Sequence, residues 1–188
     1  MSEYGFMQTY SGQRIQVPLE TDVNVWRDSD LFRIEDIAHA LGNTCRFGGH
    51  AHRFYSVAEH CVRVSYMVPP EFAMEGLLHD MAEAYLGDMP APLKAFLPEF
   101  KSMEDVLYKR MAAVFKVPGT ISDVVKDADR HMCLKELPVA LDDPSFGETS
   151  FFLHLGPQPA KKLFMARYNR LKYGDRYHDL ETLFIPQR

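Results

Sequence analysis

Leu77-Leu78-His79-Asp80-Met81-Ala82-Glu83 sets a histidine beside an aspartate, behind two leucines and three residues ahead of a glutamate, in a run that otherwise reads as an apolar helix. Placing an imidazole and a carboxylate next to a core-facing Leu-Leu pair is costly unless a partner or a metal satisfies them. A neighbouring histidine and aspartate suit a divalent ion. A lone His-Asp dipeptide is common and mostly solvated, so the reading turns on whether other helices supply further ligands.

Working outward, Pro70 is placed to open this helix, with Phe72, Ala73, Gly76, Leu77, Met81 and Ala84 on its apolar side and Gly87 near its end. Upstream, Ser56-Val57-Ala58-Glu59 has the form of a capping box, and the helix it starts carries His60 and runs to Pro69-Pro70. Before that, Leu31, Ile34, Ile37, Ala38 and Leu41 recur at helical spacing over residues 30–41, with Gly42 placed as a C-terminal stop. Residues 43–55, which contain Arg46-Phe47-Gly48-Gly49-His50-Ala51-His52-Arg53, read as a loop that approaches something. Residues 1–30 read as an irregular or extended arm with a short hairpin about Tyr10-Ser11-Gly12.

Downstream, Asp88-Met89-Pro90-Ala91-Pro92 is a rigid turn and residues 93–97 a short helical piece. Phe100, Met103, Val106, Leu107, Met111, Val114 and Phe115 mark a long amphipathic helix stopped by Pro118-Gly119. Thr120-Ile121-Ser122-Asp123 supplies an N-cap for a helix that carries Asp129 and reaches about Leu137. After a loop through Asp142-Asp143-Pro144, residues 160–172 form a last helix. The expected fold class is all-α. At 188 residues and 46% hydrophobic content the chain suits one domain, with an arm at 1–30, a helical core at 31–172 and a tail at 173–188.

A net charge of −5 with interspersed signs shows no basic face for a polynucleotide. Cys45, Cys61 and Cys133 are odd in number and lack CxxC spacing, which argues against a disulfide framework and a thiolate zinc site and fits a reducing cytoplasm. No apolar run approaches a membrane span and the N-terminus lacks a signal-peptide pattern, so a soluble cytoplasmic protein is expected.

A metal at His79 and Asp80 needs ligands from other elements. His60 and Asp129 have the right character, each on a helix with apolar neighbours. Two imidazoles with two carboxylates suit Mn, Fe, Co, Ni or Zn better than Ca, which prefers oxygen alone. Glu83 lies four residues beyond His79 and three beyond Asp80, on the same face one turn on.

The ordered series Ala58-Glu59-His60, His79-Asp80-x-x-Glu83-x-x-x-Gly87-Asp88-x-Pro90 and Lys126-x-Ala128-Asp129 resembles the HD-domain metal-dependent phosphohydrolases over most of the chain. Within them it is most similar to the compact branch of 5′-deoxynucleotidases and deoxynucleoside triphosphate triphosphohydrolases. The resemblance implies a single helical HD domain in which His60, His79, Asp80 and Asp129 bind one divalent metal, with Asp127 the competitor for the last position. It implies catalytic roles for Glu83, orienting water or moving protons, and for Asp88, protonating the leaving 5′-oxygen. Arg46 matches a phosphate-binding arginine, and Phe47 an aromatic that packs on deoxyribose. Lys94 and Lys126, close in sequence to Asp88 and Asp129, are further candidates for substrate phosphate. His50, His52 and Arg53 have no fixed direction. The histidines His39, His131, His154 and His178 match no motif and read as core or surface residues.

The implied reaction is in-line attack of water on the α-phosphorus of a 2′-deoxynucleotide, with adenine the first base to try, releasing deoxynucleoside with phosphate or triphosphate. The resemblance also implies a homo-oligomer. Two other readings stay open: a metal- and nucleotide-binding regulatory module without turnover, and a purely structural metal.

Overall fold

The structure, a computed structural model, describes residues 6–16, 28–140 and 154–174. The expected Asp142-Asp143-Pro144 loop, most of the N-terminal arm, the C-terminal tail and His178 lie outside the described residues. The fold is all-α apart from one small sheet.

That sheet is a hairpin: β1 (Phe6–Gln8) and β2 (Arg14–Gln16) pair antiparallel with Met7 opposite Ile15. Its turn is fastened to the helical core through Asp36, whose buried carboxylate accepts from Thr9 Oγ1 at 2.8 Å, Ser11 N at 2.7 Å and Ser11 Oγ at 2.7 Å.

The helix expected over residues 30–41 is two: α1 (Asp28–Leu31) and α2 (Ile34–Asn43), broken at Phe32-Arg33. Gly42 does not stop α2 but lies inside it. A Cβ there would stand 2.9 Å from the Pro157 carbonyl oxygen and 3.3 Å from Lys161 N, so the missing side chain is what lets α9 (Pro157–Tyr173) cross so closely. The end of α2 is closed by Thr44, whose N–H and hydroxyl both donate to the Ala40 carbonyl.

α3 (Val57–Met67) starts as expected, with Ser56 Oγ accepting from Glu59 N at 3.2 Å. The other half of the box is diverted: the Glu59 carboxylate accepts from Arg63 at 2.7 Å and from Leu155 N at 2.9 Å. Every residue from Val57 through Val62 is buried, because α2, α4, α8 and α9 all pack on α3.

The helix expected from Pro70 to Gly87 is interrupted at the residues that matter most. A 3₁₀ turn (Pro70–Phe72) leads into α4 (Ala73–Leu78), and a tight turn over residues 79–82 separates it from α5 (Glu83–Leu86). The bonds Met81 N to Leu78 O, Glu83 N to Asp80 O and Tyr85 N to Ala82 O have the i→i−3 spacing of 3₁₀ geometry, which often marks a functional site. Its local cause is side-chain competition: the Gly76 carbonyl, which a continued α-helix would offer to the Asp80 N–H, accepts from His79 Nδ1 at 2.8 Å.

α6 (Ala91–Lys94), α7 (Pro98–Phe115) and α8 (Asp123–Ala140) follow. The main core joins Ile37, Leu41, Leu77, Met81, Met111 and Phe164, and a second cluster of Tyr55, Val64, Val125 and Met132 adjoins it through Ile121 and Leu171. Among the described residues no helix is long and apolar enough to cross a membrane.

Candidate metal centre

Close packing of α3 on α4 sets up the centre. Gly76 is the point of approach, since a Cβ there would lie 3.2 Å from Ser65 Cα. The consequence is that His60 Nε2 and His79 Nε2 stand 3.3 Å apart, with His60 fully buried and His79 4% exposed. α8 brings Asp129 Oδ1 to 3.0 Å from His60 Nε2 and 3.8 Å from His79 Nε2. The turn after α4 puts Asp80 Oδ2 3.1 Å from His79 Nε2 and 3.7 Å from His60 Nε2. The four residues named from sequence are therefore neighbours, with Asp80 and Asp129 each beside both imidazoles. Asp127 is exposed on the other side of α8 and is not among them.

The outer nitrogen of each imidazole is already engaged. His60 Nδ1 lies 2.6 Å from Glu136 Oε1, and His79 Nδ1 2.8 Å from the Gly76 carbonyl oxygen. Each acceptor takes the hydrogen on Nδ1 and leaves Nε2 facing inward as the ligand atom. A cation bound in place of any Nε2 proton would satisfy the two nitrogens that face each other at 3.3 Å. The carboxylates are in the right state to share it. Burial opposes the charge on Asp80, but His79 outweighs it and lowers the pKa to about 2. Asp129 is likewise held below the usual carboxylate range, against burial, by hydrogen bonds from His60 and His79. Burial also opposes charge on His79, yet Asp80 and Asp129 raise its pKa well above the ordinary value. Cys61 adjoins His79 and Asp80 and forms with them a second group that could hold a metal, and burial pushes its thiol up to about 11. Two nitrogens and two oxygens fit the first-row divalent ions.

Glu83 is buried beside this cluster. Its Oε2 has no hydrogen-bond partner among the described residues, and its Oε1 lies 3.8 Å from Lys94 Nζ. Burial, then the charges of Asp80 and Asp88, raise its pKa well above 4.5. Asp88 is partly buried and raised in the same direction, by burial first and against the pull of Arg46. Arg46 sits on the opposite wall with Nη1 3.9 Å from Asp80 Oδ2 and its guanidinium 5.4 Å from the Phe47 ring. Phe47 has a φ of 56°, rare for a bulky side chain, and packs in part on the second hydrophobic cluster.

A cleft of about 440 Å³ opens from His79, Asp80, Glu83 and Asp129. Lys94 and Lys126 both line it, whereas Arg46, Phe47 and Asp88 do not. Lys94 Nζ donates to Glu104 at 2.8 Å and Lys126 Nζ to Asp123 at 3.1 Å. His50, His52 and Arg53 are exposed, and His39 stacks on Tyr10 at 4.0 Å.

Several residues escaped the sequence reading. Lys101, Tyr108 and Lys109 line the cleft from α7, where spacings of seven and eight residues put them on one helical face. Glu136 and Tyr55 stand behind His60 and Arg46. The available signal for Glu136 was its position seven residues after Asp129, two turns on along the same face of α8.

As a class, this is an all-α protein in which two helices and one turn set two imidazoles and two carboxylates beside one another as a candidate divalent-metal centre. By descent, the chain belongs to the family of YfdR from Escherichia coli (strain K12). It is 40% identical to YfdR over 176 residues, which cover 88% of this chain and 95% of YfdR. It is also 30% identical over 128 residues to RCAP_rcc00048 of Rhodobacter capsulatus, covering 63% of this chain and 62% of that protein. Both relatives are named only as uncharacterized proteins, so they establish kinship and carry no activity. No protein-family model matches the chain.

Proposed function

We propose that this chain is an HD-domain phosphohydrolase that cleaves 2′-deoxynucleotides at the α-phosphate, releasing deoxynucleoside with phosphate or triphosphate. The observation that carries the reading is the convergence of His60, His79, Asp80 and Asp129 at the mouth of a lysine-lined cleft, with the buried carboxyl of Glu83 beside them. The ordered motifs that resemble the HD phosphohydrolases support it independently.

His60, His79, Asp80 and Asp129 would hold one divalent ion, which when bound supplies Lewis acidity toward a phosphoryl oxygen and a water. Glu83, its carboxyl raised by burial and its Oε2 without a hydrogen-bond partner among the described residues, holds the attacking water and, when ionised, takes its proton. The water oxygen bonds to phosphorus as the bond to the 5′-oxygen breaks. Asp88, also raised, delivers a proton to that oxygen. Arg46 offsets charge on the non-bridging oxygens from one side, and Lys94 and Lys126 do so from the cleft.

The test is incubation of the purified protein with Mn²⁺ or Co²⁺ and each deoxynucleoside mono-, di- and triphosphate, with dATP and dAMP first and Asp80→Ala as control. Deoxynucleoside released by the wild type and absent from the control is the expected result. Nucleotide and metal binding without turnover would replace this reading by the regulatory module.

A further inference from the structure

One buried carboxylate outside the ligand set holds two different parts of the centre. We propose that Glu136 is its positioning residue: through one side chain it fixes the tautomer of the metal-binding His60 and aims the guanidinium of Arg46. This rests on the metal-centre part of the reading above and not on the identity of the substrate.

Glu136 is 1% exposed. Its Oε1 is 2.6 Å from His60 Nδ1 and accepts from Tyr55 OH at 2.7 Å, and its Oε2 accepts from Arg46 Nε at 3.0 Å. All three neighbours are donors, so only an acceptor with two oxygens satisfies them together. A neutral amide would turn a donor toward one of them. A carboxylate behind an imidazole raises the basicity of the nitrogen that faces the metal.

The same carboxylate orients Arg46. With Nε committed to Glu136, the fork of the guanidinium is left toward the cluster, where Nη1 stands 3.9 Å from Asp80. Tyr55 takes a second site on Oε1 and so resists rotation of the carboxylate. The loop that carries Arg46 is closed at its base by Arg46 N donating to the Tyr55 carbonyl, and is fastened to the end of α8 by His52 N donating to Ala140 O. α8 thus delivers both a ligand, Asp129, and the brace for another ligand, Glu136.

A merely structural Glu136 would tie the loop to α8 and do no more. Its loss would then lower stability while metal affinity and the His60 tautomer stayed as they were. The experiment compares full-length wild type, Glu136→Gln and Glu136→Leu by calorimetric titration with Mn²⁺ alone. Long-range ¹H–¹⁵N correlation of the His60 ring, and thermal melts to check folding, accompany it. Outer partners of metal ligands are typically worth 10–100-fold in affinity. Glu136→Leu is expected to weaken Mn²⁺ binding by about 100-fold and to mix the His60 tautomers, and Glu136→Gln by about 10-fold, both within that range. Wild-type affinity to within about twofold in the folded variants, a change far below that range, with His60 unchanged, would overturn the proposal. If the leucine variant does not fold, the glutamine variant decides alone on the same two readouts. Mn²⁺ binding that depends on Glu136, in a protein that hydrolyses no deoxynucleotide, would sink the phosphohydrolase reading and leave this inference standing. A wild type that binds no Mn²⁺ would sink both.

Discussion

The two walls of the centre are built in opposite ways. On the side of α3, α8 and the 46–55 loop, Arg46, Tyr55, His60 and Glu136 are buried and bonded to one another at 2.6 to 3.0 Å. On the side of α6, α7 and the first turn of α8, Lys94, Lys101, Lys109 and Lys126 line an open cleft, and the two with described ion pairs face Glu104 and Asp123. Fixed dipoles and charges in a low-dielectric wall hold a geometry. Flexible, hydrated ammonium groups supply charge without fixing direction. The closed wall therefore sets where the reacting groups are, and the open wall sets how much negative charge the cleft tolerates.

The sharpest way to break that division is to remove a ligand from the closed side. His79→Ala is expected to weaken Mn²⁺ binding by more than about 100-fold, since residues one step removed from a metal already cost 10–100-fold. Calorimetry reads this directly, and the proposed phosphohydrolase activity should vanish with it.

Glu83 is the next largest. It lies on the open side but is buried, and the proton-transfer role proposed for it makes a loss in kcat of about 10²–10⁴-fold the expected effect of Glu83→Gln. Stability should move the other way. The folded protein binds the Glu83 proton more tightly than the unfolded chain does, so between pH 4.5 and the raised folded value the native state holds more protons. Its stability contribution is complete at the acid end of that window and falls as pH rises through it. Urea midpoints in the presence of chelator should therefore favour Glu83→Gln over wild type increasingly from pH 4 to pH 8. A constant difference would show that burial does not perturb this carboxyl.

On the closed wall again, Arg46→Ala leaves Glu136 with two of its three donors. Breaking a buried ion pair costs about 3–5 kcal/mol, and the surviving bonds from His60 and Tyr55 place this case near 3 kcal/mol. Urea denaturation measures it. Arg46→Lys should recover little, because an ammonium cannot present Nε to Glu136 and a fork to the centre together.

The sequence disclosed the centre better than the path of the chain through it. His79-Asp80 was legible because a charged pair behind Leu77-Leu78 violates the apolar pattern locally, and His60 and Asp129 were legible as polar residues on otherwise apolar helical faces. The break at residues 79–82 was not, because it depends on His79 Nδ1 turning back to the Gly76 carbonyl, a rotamer choice that no periodicity records. Gly42 was misread since a glycine that ends a helix and one that admits a neighbouring backbone look alike until α9 is in place. Glu136 escaped for a different reason: its donors lie 76 to 90 residues away, so nothing near it in the chain announces three converging N–H and O–H groups. Lys101 and Lys109 belong to an amphipathic helix on which lysine is ordinarily just solvated, and only the fold shows that this face borders the cleft.

Those two lysines give the smallest expected effect and the finest test of the contrast. Both are exposed, so each truncation to alanine should change stability by no more than about 0.5 kcal/mol. Their contribution is to the potential of the cleft, and solvent-exposed charge is screened within a Debye length of about 8 Å at physiological ionic strength. Lys101→Ala and Lys109→Ala should therefore raise KM for an anionic substrate a fewfold at low salt, and the difference from wild type should shrink as salt is added. The closed wall should answer differently. Glu136 and Arg46 act through short buried bonds that added salt does not reach, so their variants should keep their deficit across the same titration. A salt-insensitive KM effect at Lys101 or Lys109 would mean that the open wall also fixes geometry, with the lysine in direct contact with substrate.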